Sequence, residues 1–200
     1  MRSNEVRGTL FLVVGPSGVG KDTLIDGVRQ SLATNDRYYF ARRTITRPLD
    51  AGGEVHVAVS KSEFEERAAD GKFALHWTAH DLHYGIAWHE VAPLAHGIHV
   101  VANVSRNIIN EARKRFHPLI IISVNVPSSM LRSRLEARAR ESEDDITRRL
   151  ARAASIDVEG PDVRRVTNDN TIAIGVARFL EVLTGSVAYS PVQLEQKPNI

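Results

Sequence analysis

Nine consecutive residues carry the chemistry that is most specific in type and spacing: Gly15-Pro16-Ser17-Gly18-Val19-Gly20-Lys21-Asp22-Thr23. Before them runs the apolar Leu10-Phe11-Leu12-Val13-Val14, and after them a helical pattern starts at Leu24. A glycine, four residues, then a second glycine and a lysine between a strand and a helix is the P-loop arrangement. Glycines let main-chain N–H groups crowd around phosphate oxygens, and the helix N-terminus adds about half a positive charge aimed at them. Gly15 to Thr23 is therefore the expected cradle for the phosphates of a nucleoside triphosphate, with Lys21 reaching the group in transfer. The residue after such a lysine is ordinarily Ser or Thr, whose hydroxyl ligates Mg²⁺. Here it is Asp22, with Thr23 next. Either Asp22 contacts the metal or its water shell, or Thr23 supplies the oxygen and Asp22 complements the helix N-terminus. Both stand as metal candidates.

The other candidates are cationic clusters. Arg42-Arg43-Thr44-Ile45-Thr46-Arg47-Pro48 is rich in guanidinium and hydroxyl groups, and Arg134, Arg138 and Arg149 flank the polar run 140–145. By spacing alone an arginine-rich helix is more often a solvated, salt-bridged face. His76, His80, His83 and His89 share no helix spacing and no carboxylate, so they read as surface or substrate-facing histidines rather than a metal site. The apolar strands at 98–104 and 119–124 end without the acidic residue of a Walker B element. That disfavours motor ATPases and GTPase switches and leaves small-molecule kinases.

These groups must be positioned by a βα framework. Leu24, Ile25, Val28 and Leu32 recur at helical spacing to about Ala33, and Tyr38–Ala41 reads as a strand. The stretch 42–87 consists of short β pieces: Val55–Val59, Phe73–Trp77 and His83–Ile86, the last two joined as a hairpin through Ala79–Leu82. Ser60 with Glu63 forms a capping box for a helix carrying Phe64 and stopping near Gly71. Regular alternation resumes with a strand at 99–104, a helix at 106–116 and the nearly continuous apolar strand Leu119–Val124. A helix then opens on Pro127 with Leu131 and Leu135 on its buried face, and Ile146, Leu150 and Ala153 resume helical spacing. After Val163–Val166, a final helix carries Ile172, Ile174, Val176, Phe179, Leu180 and Leu183, and 185–200 reads as a loosely attached tail.

Two hundred residues, 42% of them hydrophobic, suit one α/β domain with a sizeable core. Lys and Arg number 26 against 24 Asp and Glu, which is no nucleic-acid binder's balance, while local arginine clusters suit small anions. The absence of cysteine excludes disulfides and thiolate metal sites and fits a cytoplasmic protein. No stretch approaches the ~18 apolar residues that cross a membrane. Composition leaves the oligomeric state open, a homodimer included.

Three blocks together resemble the guanylate kinase-like group of nucleotide kinases: the P-loop at 15–21, Thr44-Ile45-Thr46-Arg47-Pro48 with Gly53-Glu54, and the pattern Arg134-Leu135, Arg138, Ile146, Arg149-Leu150. The resemblance covers residues 9 to 184 and implies an α/β P-loop kinase fold. Its parts are a central parallel sheet flanked by helices (9–41 and 98–184), a small inserted β-rich acceptor-binding region (42–87) and a helical lid (136–149), all in a single domain over 1–184. Departures are specific. Leu49-Asp50-Ala51 stands where the family carries a second arginine, His76 replaces its base-reading glutamate, and Asn103 stands in its acidic segment. Imidazole and amide groups cannot reproduce a carboxylate's paired acceptors, so GMP is disfavoured.

The set Lys21-Asp22, Thr46-Arg47, His56, Trp77, Tyr84-Gly85 and Asn103-x-Ser105-Arg106 is instead similar to the ribose 1,5-bisphosphate phosphokinase family. That resemblance implies ATP and Mg²⁺ as cofactors, a phosphorylated sugar as small-molecule partner, neither nucleic acid nor membrane, and a place in phosphonate breakdown. It implies catalytic roles for Lys21 and for Arg138 and Arg149 as lid arginines. Arg43, Arg47 and Tyr84 would grip the acceptor phosphates, with Asn103, Ser105 and Arg106 on the sugar or its second phosphate. His76 joins this acceptor set, and Asn168 falls in the adenine-side loop. Two alternatives stay open: a nucleoside monophosphate kinase of altered base preference, and an inactive guanylate kinase-like binding module. Intact Lys21 and paired lid arginines argue against the module.

Overall fold

The computed structural model describes residues 7–49, 54–136, 143–155 and 158–188. Strands β1 (Leu10–Val14), β2 (Tyr38–Phe40), β7 (His99–Asn103), β8 (Leu119–Asn125) and β9 (Val163–Thr167) form a wholly parallel sheet in the order β2-β7-β1-β8-β9. β1 lies at its centre, with Leu12 level with Ala102 on one side and Ile121 on the other. A strand covered on both faces needs no polar alternation, which is why 10–14 is apolar throughout and buried. Alternate residues serve different layers. Phe11 and Val13 pack with Leu24 and Val28 of α1 (Lys21–Ser31) and with Phe179 and Leu183 of α7 (Ile172–Ala188). Leu10, Leu12 and Val14 share a cluster with Leu75, Trp77 and Ile86 of a second sheet.

That second sheet has the order β4-β3-β6-β5, from β3 (Thr44–Ile45), β4 (Val57–Ala58), β5 (Phe73–Ala79) and β6 (Leu82–Ala87). β5 and β6 form the expected hairpin, turning on His80 and Asp81 at φ 51° and 59°. Two consecutive positive φ values match the twist of a tight hairpin, here without glycine. Helix α2 (Lys61–Ala69) begins with the expected capping box: Glu63 N–H donates to the Ser60 hydroxyl and Ser60 N–H to the Glu63 carboxylate. Chain return to the core runs through α3 (Trp88–Val91) and a 3₁₀ turn at Ala92–His96, which the apolar pattern did not announce. A 3₁₀ turn at Arg106–Ile108 leads into α4 (Ile109–Arg115). The last helices of the framework are α5 (Ser128–Glu136) and α6 (Glu143–Ser155).

Several boundaries move. The strand expected at 55–59 contracts to β4, where Val57 and Ala58 stand level with Thr44 and Ile45 of β3 and Val59 N–H adds a last bond to the Ile45 carbonyl at 3.2 Å. Pro127 precedes α5, its carbonyl accepting from Leu131 N–H at 3.0 Å. Helix α7 continues through Gly185 to Ala188, so the segment read as a tail begins as helix; its first apolar residues, Ile172 and Ile174, are exposed at 60% and 40%. Among the described residues no helix is long and apolar enough to cross a membrane.

Candidate active site

Parallel strands point their C-terminal ends to one side, and the loops there gather the site. The chain leaves β1 at Gly15 with φ 151°, and a Cβ on that residue would lie 2.3 Å from the Val124 carbonyl oxygen. Gly20 caps α1 in the left-handed conformation at φ 92°. Its α-carbon faces Asn168, whose Nδ2 would be 2.5 Å from any added Cβ. Between them Ser17, Gly18 and Val19 arch over Leu131 and Leu135 of α5, which approach Gly18. The Lys21 ammonium donates to the carbonyls of Gly15 at 2.9 Å and Pro16 at 3.0 Å, so it lies across the loop.

Two residues behind the loop hold its crest. Asn168 Nδ2 donates to the Val19 carbonyl at 2.8 Å, and Arg134 reaches the same oxygen at 3.3 Å while its other Nη donates to the Asn168 carbonyl at 3.0 Å. Asn168 is buried, and Val19 has no exposed surface. The sequence pattern contained Arg134 without giving it work; the latch on Val19 is that work.

Asp22 and Thr23 are both exposed on the first turn of α1. Asp22 accepts from Asn103 Nδ2 at 2.7 Å, which joins helix α1 to the end of β7. Asn103 is buried, and its Oδ1 has no hydrogen-bond donor among the described residues. Ser105 and Arg106 follow β7, with Ser105 opening the 3₁₀ turn.

Across the cleft stands the second sheet. The Arg43 guanidinium lies over the Tyr84 ring, 5.2 Å from its centroid, and Tyr84 stacks on Trp77 at 5.6 Å with the planes 6° apart. Cation–π contact and an ion pair to Glu54 hold this guanidinium in place. Burial brings the Arg43 pKa down to about 10, opposed by the carboxylate of Asp22 and by Tyr84 and assisted by Arg47; it stays cationic at neutral pH. Among the described residues, three buried guanidinium nitrogens have no acceptor: Nε of Arg43, and Nε and Nη2 of Arg47. Buried donors are rarely left unpaired, so an anion that completes them is the direct chemical reading. His56 braces this loop, with its two ring nitrogens 2.9 Å from the carbonyl oxygens of Glu54 and Arg47.

Residues 7–171 match the sequence pattern of the guanylate kinase family. The protein named ribose 1,5-bisphosphate phosphokinase PhnN from Thiobacillus denitrificans is 44% identical over 181 residues, covering 90% of this chain and 95% of that one. The chain belongs to the guanylate kinase family, in its ribose 1,5-bisphosphate phosphokinase branch. A bifunctional ribose 1,5-bisphosphokinase-thymidine phosphorylase from Cupriavidus pinatubonensis is 48% identical over 176 residues, 88% of this chain but 29% of that protein's length. In fold, the chain resembles the guanylate kinase from Anaplasma phagocytophilum, with a TM-score of 0.64 at 15% identity, covering 95% of this chain and 92% of the other.

Not every candidate from the sequence reaches the cleft. His76 precedes Trp77 on β5, and alternation along a strand sends the two side chains to opposite faces. It is exposed beside Phe64 and Phe73, at 6.4 and 6.1 Å between ring centroids, and so stands away from Arg43 and Tyr84. Asn168 is near the nucleotide loop, but its side-chain amide is engaged by Val19. Arg138 lies outside the described residues, and of Arg149 only the backbone, in α6, is described.

The donor set suits Mg²⁺. That ion takes oxygen ligands, one or two from protein and the rest from phosphates and water. Asp22, Thr23 and the unpaired Asn103 Oδ1 beside them are oxygens of this kind. Among the described residues no cluster of three or more His, Cys, Asp or Glu offers another metal site.

Proposed function

We propose that this chain transfers the γ-phosphoryl group of ATP to the 1-phosphate of ribose 1,5-bisphosphate, giving 5-phosphoribosyl 1-diphosphate. The observation that carries this reading is the trio of buried guanidinium nitrogens on Arg43 and Arg47 that have no acceptor among the described residues, with Arg43 within reach of the charge of Asp22 at the end of an intact P-loop. The relatives' names point the same way. A bisphosphorylated sugar demands more cationic donors than a nucleotide, and no carboxylate stands at position 76 to read a base.

Phosphoryl transfer between phosphate oxygens needs positioning and charge neutralisation rather than a strong base, because the attacking oxygen is already ionised. An oxygen of the acceptor's 1-phosphate attacks the γ-phosphorus, the bond to the β-phosphate bridging oxygen breaks, and ADP leaves. Main-chain N–H groups of 15–23 hold the ATP phosphates. Lys21 exchanges two neutral carbonyls for phosphate oxygens, which are stronger acceptors. Arg43, Arg47 and Tyr84 hold the acceptor phosphate, Asn103, Ser105 and Arg106 the sugar side, and Arg138 and Arg149 close over the transferring group as the helical lid at 136–149. Asp22 and Thr23 would hold Mg²⁺, whose chemistry is neutralisation of the phosphate oxygens. The reaction then runs in the cytoplasm, within phosphonate breakdown, without nucleic acid or membrane.

A coupled ADP-release assay with Mg²⁺-ATP tests this, with ribose 1,5-bisphosphate, GMP, AMP, CMP and UMP presented separately at equal concentration. Turnover confined to the ribose bisphosphate, and reduced about 10³-fold or more in Lys21→Ala, is the expected result. Preference for a nucleotide would replace it with a monophosphate kinase of altered base choice.

A further inference from the structure

Glu90 is the only buried carboxylate among the described residues, at 1% exposure, and phosphoryl transfer makes no use of it. A carboxylate that deep is costly unless donors surround it. One oxygen accepts from the Tyr39 hydroxyl at 2.7 Å and from the main-chain N–H of Arg42 at 2.9 Å. The other has no hydrogen bond among the described residues; the Arg42 guanidinium Nε at 3.7 Å and the His89 ring Nε2 at 3.5 Å lie beside it. Burial, and then the bond to Glu90, push the Tyr39 hydroxyl up to about 12, so it stays a donor at physiological pH.

The position of that N–H matters. Ala41 N–H makes the last bond to the core sheet, to the Val101 carbonyl at 2.9 Å, and the Arg43 carbonyl makes the first bond of the second sheet, from Val57 N–H at 2.8 Å. Arg42 is the residue between, and Glu90 takes its donor. Glu90 itself sits on α3, where the chain returns from the second sheet to the core. One carboxylate thus ties the outgoing crossing, the returning crossing and, through Tyr39, the edge strand β2.

We propose that Glu90 is a positioning residue for the acceptor site: by fixing Arg42 N–H it sets where Arg43, one residue on, presents its guanidinium to the acceptor phosphate. This rests on the reading of Arg43 as an acceptor-phosphate ligand. Displacement of a bound group by about 1 Å costs as much as 10²-fold in rate.

The test is steady-state kinetics of Glu90→Ala and Glu90→Gln with ATP and acceptor varied separately. Glu90→Ala should raise the acceptor KM about tenfold or more and leave the ATP KM within about twofold. Glu90→Gln keeps an oxygen for Arg42 N–H and should hold the acceptor KM within about threefold. An unmoved acceptor KM in folded Glu90→Ala, or two KM values rising together, overturns the proposal. If Glu90→Ala does not fold, Glu90→Asp, whose shorter arm withdraws the carboxylate from Arg42, carries the same expectation, and wild-type kinetics in it overturn the proposal. Should the wild type fail to turn over ribose 1,5-bisphosphate, the functional reading fails by itself. Positioning is then read by titrating inorganic phosphate with a non-hydrolysable ATP analogue in the P-loop: about tenfold weaker binding in the variant supports it, and equal binding overturns it.

Discussion

Asp22 and Asn103 meet at 2.7 Å, carboxylate to amide, across 81 residues of sequence. The residue that follows the P-loop lysine is thereby joined to the end of β7, and its charge is also felt by Arg43 on the second sheet. A serine or threonine in its place would supply a hydroxyl but neither the charge nor the reach. Asp22 is thus the side chain through which the P-loop meets both β7 and the guanidinium of Arg43.

Asp22→Asn keeps an oxygen for the Asn103 amide but removes the charge. Stability should change by less than about 0.5 kcal/mol, since the residue is exposed. The Mg²⁺ concentration that gives half-maximal activity should rise roughly fivefold or more. An unchanged Mg²⁺ dependence would hand the metal role to Thr23, a result that a magnesium titration of Asp22→Asn beside Thr23→Val decides.

Arg47 keeps two buried donors that find no acceptor among the described residues. Arg47→Met replaces them with an apolar chain of similar length. Thermal unfolding should show a gain of about 1 kcal/mol, while the acceptor KM rises about 100-fold. Loss of stability together with an unchanged acceptor KM would mean that these nitrogens have a structural partner and no ligand.

His99 sets an acid limit on the core. Its Nδ1 accepts from Thr9 N–H at 3.0 Å, its buried Nε2 has no acceptor among the described residues, and its ring lies against Phe11 and Tyr38. Burial first, and the charge of Arg37 second, hold its pKa below the usual 6.5. The unfolded chain therefore binds the proton more readily than the folded one, and stability is lost as pH falls below about 6.5 toward the lowered folded value. His99→Gln should flatten the melting temperature between pH 7.5 and 5.5; an unchanged slope would place the acid sensitivity elsewhere.

Legibility from sequence followed the range of the interactions. The Ser60–Glu63 capping box, the β5–β6 hairpin and the P-loop are written in residues a few positions apart, and each appears where its pattern stands. The crossing through α3 was not legible, because Trp88 to His96 has no clean period of either kind. No pattern in the sequence marks Glu90, because what sets it apart, the Tyr39 hydroxyl and the Arg42 backbone, comes from positions about fifty residues away.

By itself, then, the sequence determined where phosphate chemistry is possible: glycine spacing, a lysine at the head of a helix and an apolar strand before it act through local backbone geometry that no distant contact has to supply. Tertiary structure alone decided which side chains share the cleft. The register of β5 sends Trp77 to the core and His76 out, and sheet closure brings Arg43 onto Tyr84. Packing of α5 against the P-loop lets Arg134 join Asn168 on Val19. Those outcomes depend on which strands pair and in what register, and a shift of a single residue would reverse every face of a strand while leaving the local patterns intact.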